Sequence, residues 1–187
     1  MEDNFNYYLI TDPKYYSNNK TTFRKTLEKV FSSKKVTMAC FRDKESSNYE
    51  ELATIFIDVC KKYNIKKIVL NENLQLAKKF NCAIHLTSMQ CDKIKEAKKS
   101  RLFTIISCHN EEEIEKAILN GADAITYSPI FNTPNKGEAK GIEKLASINK
   151  TYQIDIIALG GIINESQIEE IKSCDTYGFA SIRYFIK

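Results

Sequence analysis

Short apolar runs alternate with helical patterns from one end of the chain to the other. Residues 7–11, 36–41, 67–70, 83–86, 103–107, 124–127, 154–159 and 177–182 read as eight strands. Several of them, such as Ile68-Val69-Leu70 and Ile156-Ile157-Ala158-Leu159, are apolar at every position. Alternation would mark a strand with one wet face, whereas an unbroken run marks a parallel strand covered on both faces. Between the runs, apolar residues recur at helical spacing. Leu52, Ala53, Ile55, Phe56, Val59, Cys60 and Tyr63 form one such stripe, and Ser47-Asn48-Tyr49-Glu50 ahead of it predicts a capping box. Asn110 followed by Glu111-Glu112-Glu113 predicts a helix start, with carboxylates at the positive end of the macrodipole and Gly121 as the C-terminal cap. A further helix is expected to start near Asn164 and to turn Ile168 and Ile171 inward.

Eight strands and seven clear helices point to an α/β fold, a (β/α)8 TIM barrel rather than an open doubly wound sheet. At 187 residues the chain is short against the ~250 typical of that fold, so the barrel is expected to be compact. The eighth strand ends at Ile182, close to Lys187, which leaves the eighth helix absent or vestigial. The flank beside that strand would then expose apolar surface, and a homo-oligomer covering it is the corollary. One domain spanning residues 1–187 is expected, with no linker or low-complexity segment.

Composition narrows the class without naming a function. The apolar share is 43% and the charged share 28%, a globular balance. Lys plus Arg is 28 and Asp plus Glu is 24, a net charge of +4 with both signs dispersed, so neither nucleic acid nor a membrane surface is suggested as a partner. The amino terminus, Met1-Glu2-Asp3-Asn4, does not read as a signal peptide. Six cysteines at 40, 60, 82, 91, 108 and 174 lack CxxC or metal-site spacing and read as buried thiols of a reducing compartment, the cytoplasm.

In such a barrel the chemistry belongs at the C-terminal ends of the strands. The expected ends carry Arg42 and Lys44, Asn71 and Glu72, Ser107 and His109, Thr133 and Lys136, and Gly160-Gly161. The glycine pair lets backbone amides approach a phosphate, with the helix after Asn164 adding its positive end; a tight strand-to-helix turn is the alternative use. Arg42, Lys44 and Lys136 suit a cationic clamp, Arg as a bidentate fork and Lys as a point charge. A solvated surface is the other reading of both lysines. His109 follows a buried strand, where a general acid/base reaches a ligand, though a loop or capping histidine reads the same. His85, inside an apolar run, is expected to pack in the barrel wall.

These pieces, taken in order, resemble the thiamine phosphate synthase/TenI family over nearly the whole chain. Tyr8-Leu9-Ile10-Thr11-Asp12 is similar to its opening strand and turn, and Arg42-Asp43-Lys44 to the end of its Gln-Arg-Lys motif. Asn71-Glu72 stands where synthases have Asn-Asp, and Ser107-Cys108-His109 fits a Ser-x-His element. Ser128-Pro129-Ile130-Phe131-Asn132-Thr133-Pro134-Asn135-Lys136 and Leu159-Gly160-Gly161-Ile162 resemble the phosphate-side loops. There are also departures. Cys40 replaces the glutamine that contacts the aminopyrimidine, and Glu72 replaces the first acidic magnesium ligand. After His85-Leu86 the chain reads Thr87-Ser88-Met89-Gln90, with no carboxylate until Asp92. Asn135 replaces a threonine, and the last phosphate loop reads Ile182-Arg183 where a serine is expected, with Arg183 adding a charge-assisted contact.

The resemblance implies three readings. The leading one is a TenI-like tautomerase of a thiazole phosphate, with His109 moving the proton, Gly160-Gly161 holding the phosphate, and no cofactor. The second is a divergent synthase that joins a pyrimidine diphosphate to a thiazole phosphate, using magnesium on Glu72, with Asp92 as a second candidate ligand. The third is a binding or regulatory protein that keeps the pocket without the chemistry.

Overall fold

A computed structural model of the chain describes residues 5–134 and 136–186; Met1–Asn4, Asn135 and Lys187 lie outside it. In chain order the elements are β1 (Asn6–Ile10), α1 (Pro13–Tyr16), α2 (Lys20–Ser33), β2 (Met38–Phe41), α3 (Tyr49–Lys62), β3 (Lys67–Asn71) and α4 (Leu74–Phe80). Then follow β4 (Ala83–Leu86), a 3-10 turn (Ser88–Lys93), α5 (Ile94–Lys99), β5 (Thr104–Cys108), α6 (Glu111–Asn120) and β6 (Ala124–Tyr127). The series ends with α7 (Gly141–Thr151), β7 (Asp155–Leu159), α8 (Glu165–Lys172), β8 (Gly178–Ser181) and α9 (Arg183–Ile186). All eight strands are parallel and pair in sequence order, and β8 returns to β1 with Tyr7 opposite Phe179, so the sheet closes into a barrel. After β8 the described residues form one helical turn, α9.

Two apolar layers follow from the strand period of two. Outward residues such as Leu9, Phe41, Leu70, Ile106 and Phe179 pack against the helices. Inward residues, among them Tyr8, Cys40, Val69, Ile105 and Ile157, fill the barrel. At the end opposite the expected site, the Lys67 ammonium lies 3.0 Å from the centroid of the Phe103 ring and 5.9 Å from that of Tyr177. Lys67 thus sits among the inward-packed rings of Phe103 and Tyr177 at that N-terminal end.

Four helices start on an asparagine whose carbonyl accepts an amide three residues on: Asn19 from Thr22, Asn73 from Leu76, Asn110 from Glu113 and Asn164 from Gln167. The capping box expected at Ser47–Glu50 is absent. Asn48 takes the cap position of α3 at φ −96°, ψ 33°, not the extended backbone that aims a cap, and its side chain makes no cap bond. Gly121 ends α6 at φ 86°, as expected. Among the described residues no helix is long and apolar enough to cross a membrane.

Candidate active site

The polar groups at the barrel mouth fall into two halves. On the β1–β4 side Arg42, Lys44 and Glu72 are already partnered. Arg42 Nη1 lies 2.8 Å from Asp12 Oδ2, and Thr11 Oγ1 fixes the Arg42 backbone by accepting from its amide and donating to its carbonyl. Lys44 Nζ lies 2.9 Å from Glu72 Oε1, and Asn71 Nδ2 donates to that same oxygen at 2.9 Å. Glu72 itself sits at φ 62°, a left-handed backbone that turns its carboxylate back toward β2. Burial works against its charge, but the bonds from Lys44 and Asn71 and the nearby Arg42 hold its carboxyl below the usual range. Beside it Gln90 accepts from the Thr87 amide and donates to the Glu72 carbonyl. A cleft of about 640 Å³ opens here, lined in part by Lys44, Tyr49, Asn71, Glu72, Gln90 and Lys93.

As it stands this donor set is a poor match to magnesium: Glu72 Oε1 carries an ammonium and an amide, and the side chain bonded beside it, Gln90, is an amide rather than an acid. Asp12 is taken by Arg42, and Asp43 Oδ1 accepts from the amides of Glu45 and Ser46. No cluster of three or more His, Cys, Asp or Glu placed to hold a metal ion occurs among the described residues.

The β5–β8 side is built differently. Ser107 and Thr126 are register partners on β5 and β6, and two residues on, His109 meets Ser128. His109 Nδ1 lies 3.1 Å from the Ser128 carbonyl and 3.2 Å from its hydroxyl. A carbonyl only accepts, so Nδ1 carries a hydrogen, and in the neutral ring Nε2 is the atom with the lone pair. The ring is exposed at the rim, and its amide is held by Glu113 Oε2 at 2.6 Å. Beyond the cis Ser128–Pro129 peptide, the β6 loop runs against the β7 turn: the Ile130 amide donates to Leu159 and the Phe131 amide to Gly160.

Gly160 and Gly161 are required by that docking. Their φ values are 100° and 73°. A Cβ at Gly160 would stand 2.8 Å from Pro129 Cα, and one at Gly161 2.7 Å from the Phe131 and Asn132 carbonyl oxygens. Thr133 Oγ1 is 3.3 Å from the Gly160 position and donates to the Phe131 carbonyl. Lys136 is exposed on the same loop. The end of α8 is occupied by the chain's own caps, since Asn164 takes the Gln167 amide and Gln167 Oε1 takes that of Ile163. Ile182 and Arg183 are half-buried at the start of α9.

Four residues here were given no role in the site by the sequence. Asp12 holds Arg42, and Gln90 backs Glu72. A serine does stand beside the last loop: Ser181, the end of β8, donates to the Ile162 carbonyl at 2.8 Å and accepts from the Tyr184 amide. Its signal was visible one position before Ile182. His85, expected in the wall, points into the barrel, with Nδ1 3.0 Å from the Tyr8 hydroxyl and Nε2 3.1 Å from Ser107 Oγ.

A sequence profile described as thiamine monophosphate synthase matches residues 7–185. The chain belongs to that family. Its place is accordingly in thiamine biosynthesis. A thiamine-phosphate synthase of Pelagibacter ubique is 32% identical over 83% of this chain and 76% of its own length. One from Fusobacterium nucleatum subsp. nucleatum is 28% identical over 94% and 86%. In structure the chain is similar to a thiamine phosphate pyrophosphorylase from Pyrococcus furiosus, with a TM-score of 0.79, 21% identity, and coverage of 96% and 86%. That likeness establishes the barrel fold.

Proposed function

We propose that this protein is a thiazole tautomerase: it binds a thiazole carboxylate phosphate and aromatises the ring by moving one proton. The proton leaves one ring position for His109 Nε2 and returns to another, so the reaction is an isomerisation with no second substrate. The observation that carries this reading is the state of Glu72, whose carboxylate is bound by Lys44 and Asn71 and whose carbonyl is held by the amide of Gln90. Diphosphate departure needs strong neutralisation of the leaving group. Proton transfer needs an anchored ligand and one base of suitable pKa. Thr133, Lys136, Gly160, Gly161, Ile182 and Arg183 are the residues we assign to the phosphate, with Ser107 on the ring side. Six free thiols, five of them buried, accord with the cytoplasm as its place.

The synthase reading has its own support in the names of the relatives and in the open cleft over Lys44 and Lys93. Two assays on the purified protein separate them. Tautomer conversion in EDTA is expected to proceed at full rate, while pyrimidine diphosphate plus thiazole phosphate with magnesium yields no product. Coupling with magnesium and no tautomerisation would establish the synthase instead. Silence in both assays, with thiazole phosphate still bound, would make the chain a binding protein.

A further inference from the structure

A chain of buried polar groups crosses the barrel just beneath the mouth. It runs from Cys40 on β2 through Tyr8 on β1 and His85 on β4 to Ser107 on β5 and Thr126 on β6. Cys40, Tyr8, His85 and Thr126 are almost entirely buried, and only Ser107 reaches the mouth half-exposed. A neutral imidazole has one donor and one acceptor, so such a chain has a direction, and two directions are possible. In one, His85 donates from Nδ1 to the Tyr8 oxygen, Tyr8 spends its proton on the Cys40 sulfur, and Ser107 donates inward to Nε2. In the other, Tyr8 donates to Nδ1, and Nε2 donates outward to Ser107.

The chemistry of the groups decides between them. Sulfur is a weak acceptor and an imidazole nitrogen a strong one, so the phenol proton goes to His85. Burial pushes the Cys40 thiol up to about 12, so it stays a protonated thiol, a poor acceptor for the phenol proton. Burial also holds His85 neutral. With Nε2–H aimed at Ser107 Oγ at 3.1 Å and the Thr126 hydroxyl 3.4 Å from the same atom, both lone pairs of Ser107 are occupied. Its own proton is then left for the mouth.

We propose that His85 is a positioning residue, fixed by Tyr8 in the Nε2–H tautomer, that makes Ser107 an obligatory hydrogen-bond donor and so selects ligands presenting an acceptor there, such as a carboxylate or phosphate oxygen or an unprotonated ring nitrogen. A ligand with an N–H or O–H at that position meets a donor and is refused. The ligand side of this inference rests on the thiazole-phosphate reading; the tautomer does not.

The test uses the fact that the chain has only two histidines. In protein labelled with 15N-histidine, nitrogen NMR at neutral pH should show opposite tautomers: His85 protonated at Nε2 and His109 at Nδ1. Replacing Tyr8 by Phe keeps the ring and removes the donor, and the His85 signals should then move toward a mixture of tautomers. Calorimetry with thiazole phosphate should give roughly 3- to 10-fold weaker binding for Tyr8→Phe and for Ser107→Ala, with little further loss when they are combined. His85 protonated at Nδ1 in the wild-type protein would overturn the inference. So would a Tyr8→Phe variant that binds normally while Ser107→Ala does not, or losses that simply add. If the wild-type protein fails to bind thiazole phosphate, the proposed function fails, and the tautomer alone decides this inference.

Discussion

Burial alters His85 within a pH range where the protein can be titrated. Burial pushes its pKa down to about 4, with the Glu72 charge pulling it up and Arg42 pushing it further down. The unfolded chain takes up that proton near the ordinary ~6.5, before the folded one does. Stability is thus complete above ~6.5 and falls with pH down to about 4, by an amount on the order of 3 kcal/mol. Urea titrations across that range check this, and His85→Gln should flatten the slope. Glu72 acts in a lower window, because its depressed pKa favours the folded state above the usual carboxylate range and loses that effect as the group is protonated. Its pair with Lys44 is half exposed, so the contribution stays within ~1 kcal/mol. For the reaction itself His109→Asn is the informative change. It should lower kcat on the order of 10²–10⁴ while leaving thiazole-phosphate affinity nearly unchanged, and steady-state rates with calorimetry on one preparation check both.

At the scale of elements, the β6 and β7 loops form one unit, and their glycines must be tested as such. Gly161→Ala places a carbon against the Phe131 and Asn132 backbone at a positive φ, so residues 131–133 must move. A loss of ~1–3 kcal/mol in stability together with loss of phosphate binding is expected. Gly121→Ala is the control: nothing lies within 4 Å of the added carbon, the cost is the φ alone, about 1 kcal/mol, and binding should not change. Denaturation midpoints and calorimetry on both variants check this. The strands themselves were legible because parallel strands are apolar on both faces, and β4 and β6 fall at the expected residues. The Asn110 and Asn164 caps were legible from the helical stripes they precede, whereas Asn19 and Asn73 sit in polar stretches where an asparagine carries no distinguishing signal. The partners within the site were not legible at all. Asp12 and Arg42 are 30 positions apart, and Lys44 and Glu72 28, and only the barrel register brings them together. Motifs name the residues at each strand end; which charge neutralises which is settled by the neighbouring strand.

For the whole molecule, the seam between β8 and β1 determines whether so short a chain can close a barrel unaided. An open apolar flank was the expectation, yet the large apolar residues exposed among the described ones are Tyr15, Met89, Ile118 and Leu119, none of them in β1, β8 or α9. A cluster of rings closes the seam. Phe179 stacks on Phe185 at 5.8 Å and 5°, meets Tyr184 and Tyr7 edge-on at 5.3 and 5.1 Å, and lies 6.1 Å from Phe5. Lys34 and Lys172 extend over the outer rings, with their ammonium groups 5.2 Å from the Tyr184 centroid and 5.7 Å from that of Phe5. The single turn of α9 supplies two of these rings, Tyr184 and Phe185. Phe179 is the centre of this cluster and fully buried, so Phe179→Ala removes contacts to four rings at once. The expected cost is about 3–5 kcal/mol. Because the cluster lies within one chain, that cost should be the same in dilute and concentrated protein, as measured by urea unfolding across a wide concentration range. A cost that shrinks as the protein is concentrated would mean that a second copy covers the seam, and the homo-oligomer expected from the short carboxyl end would then be needed after all.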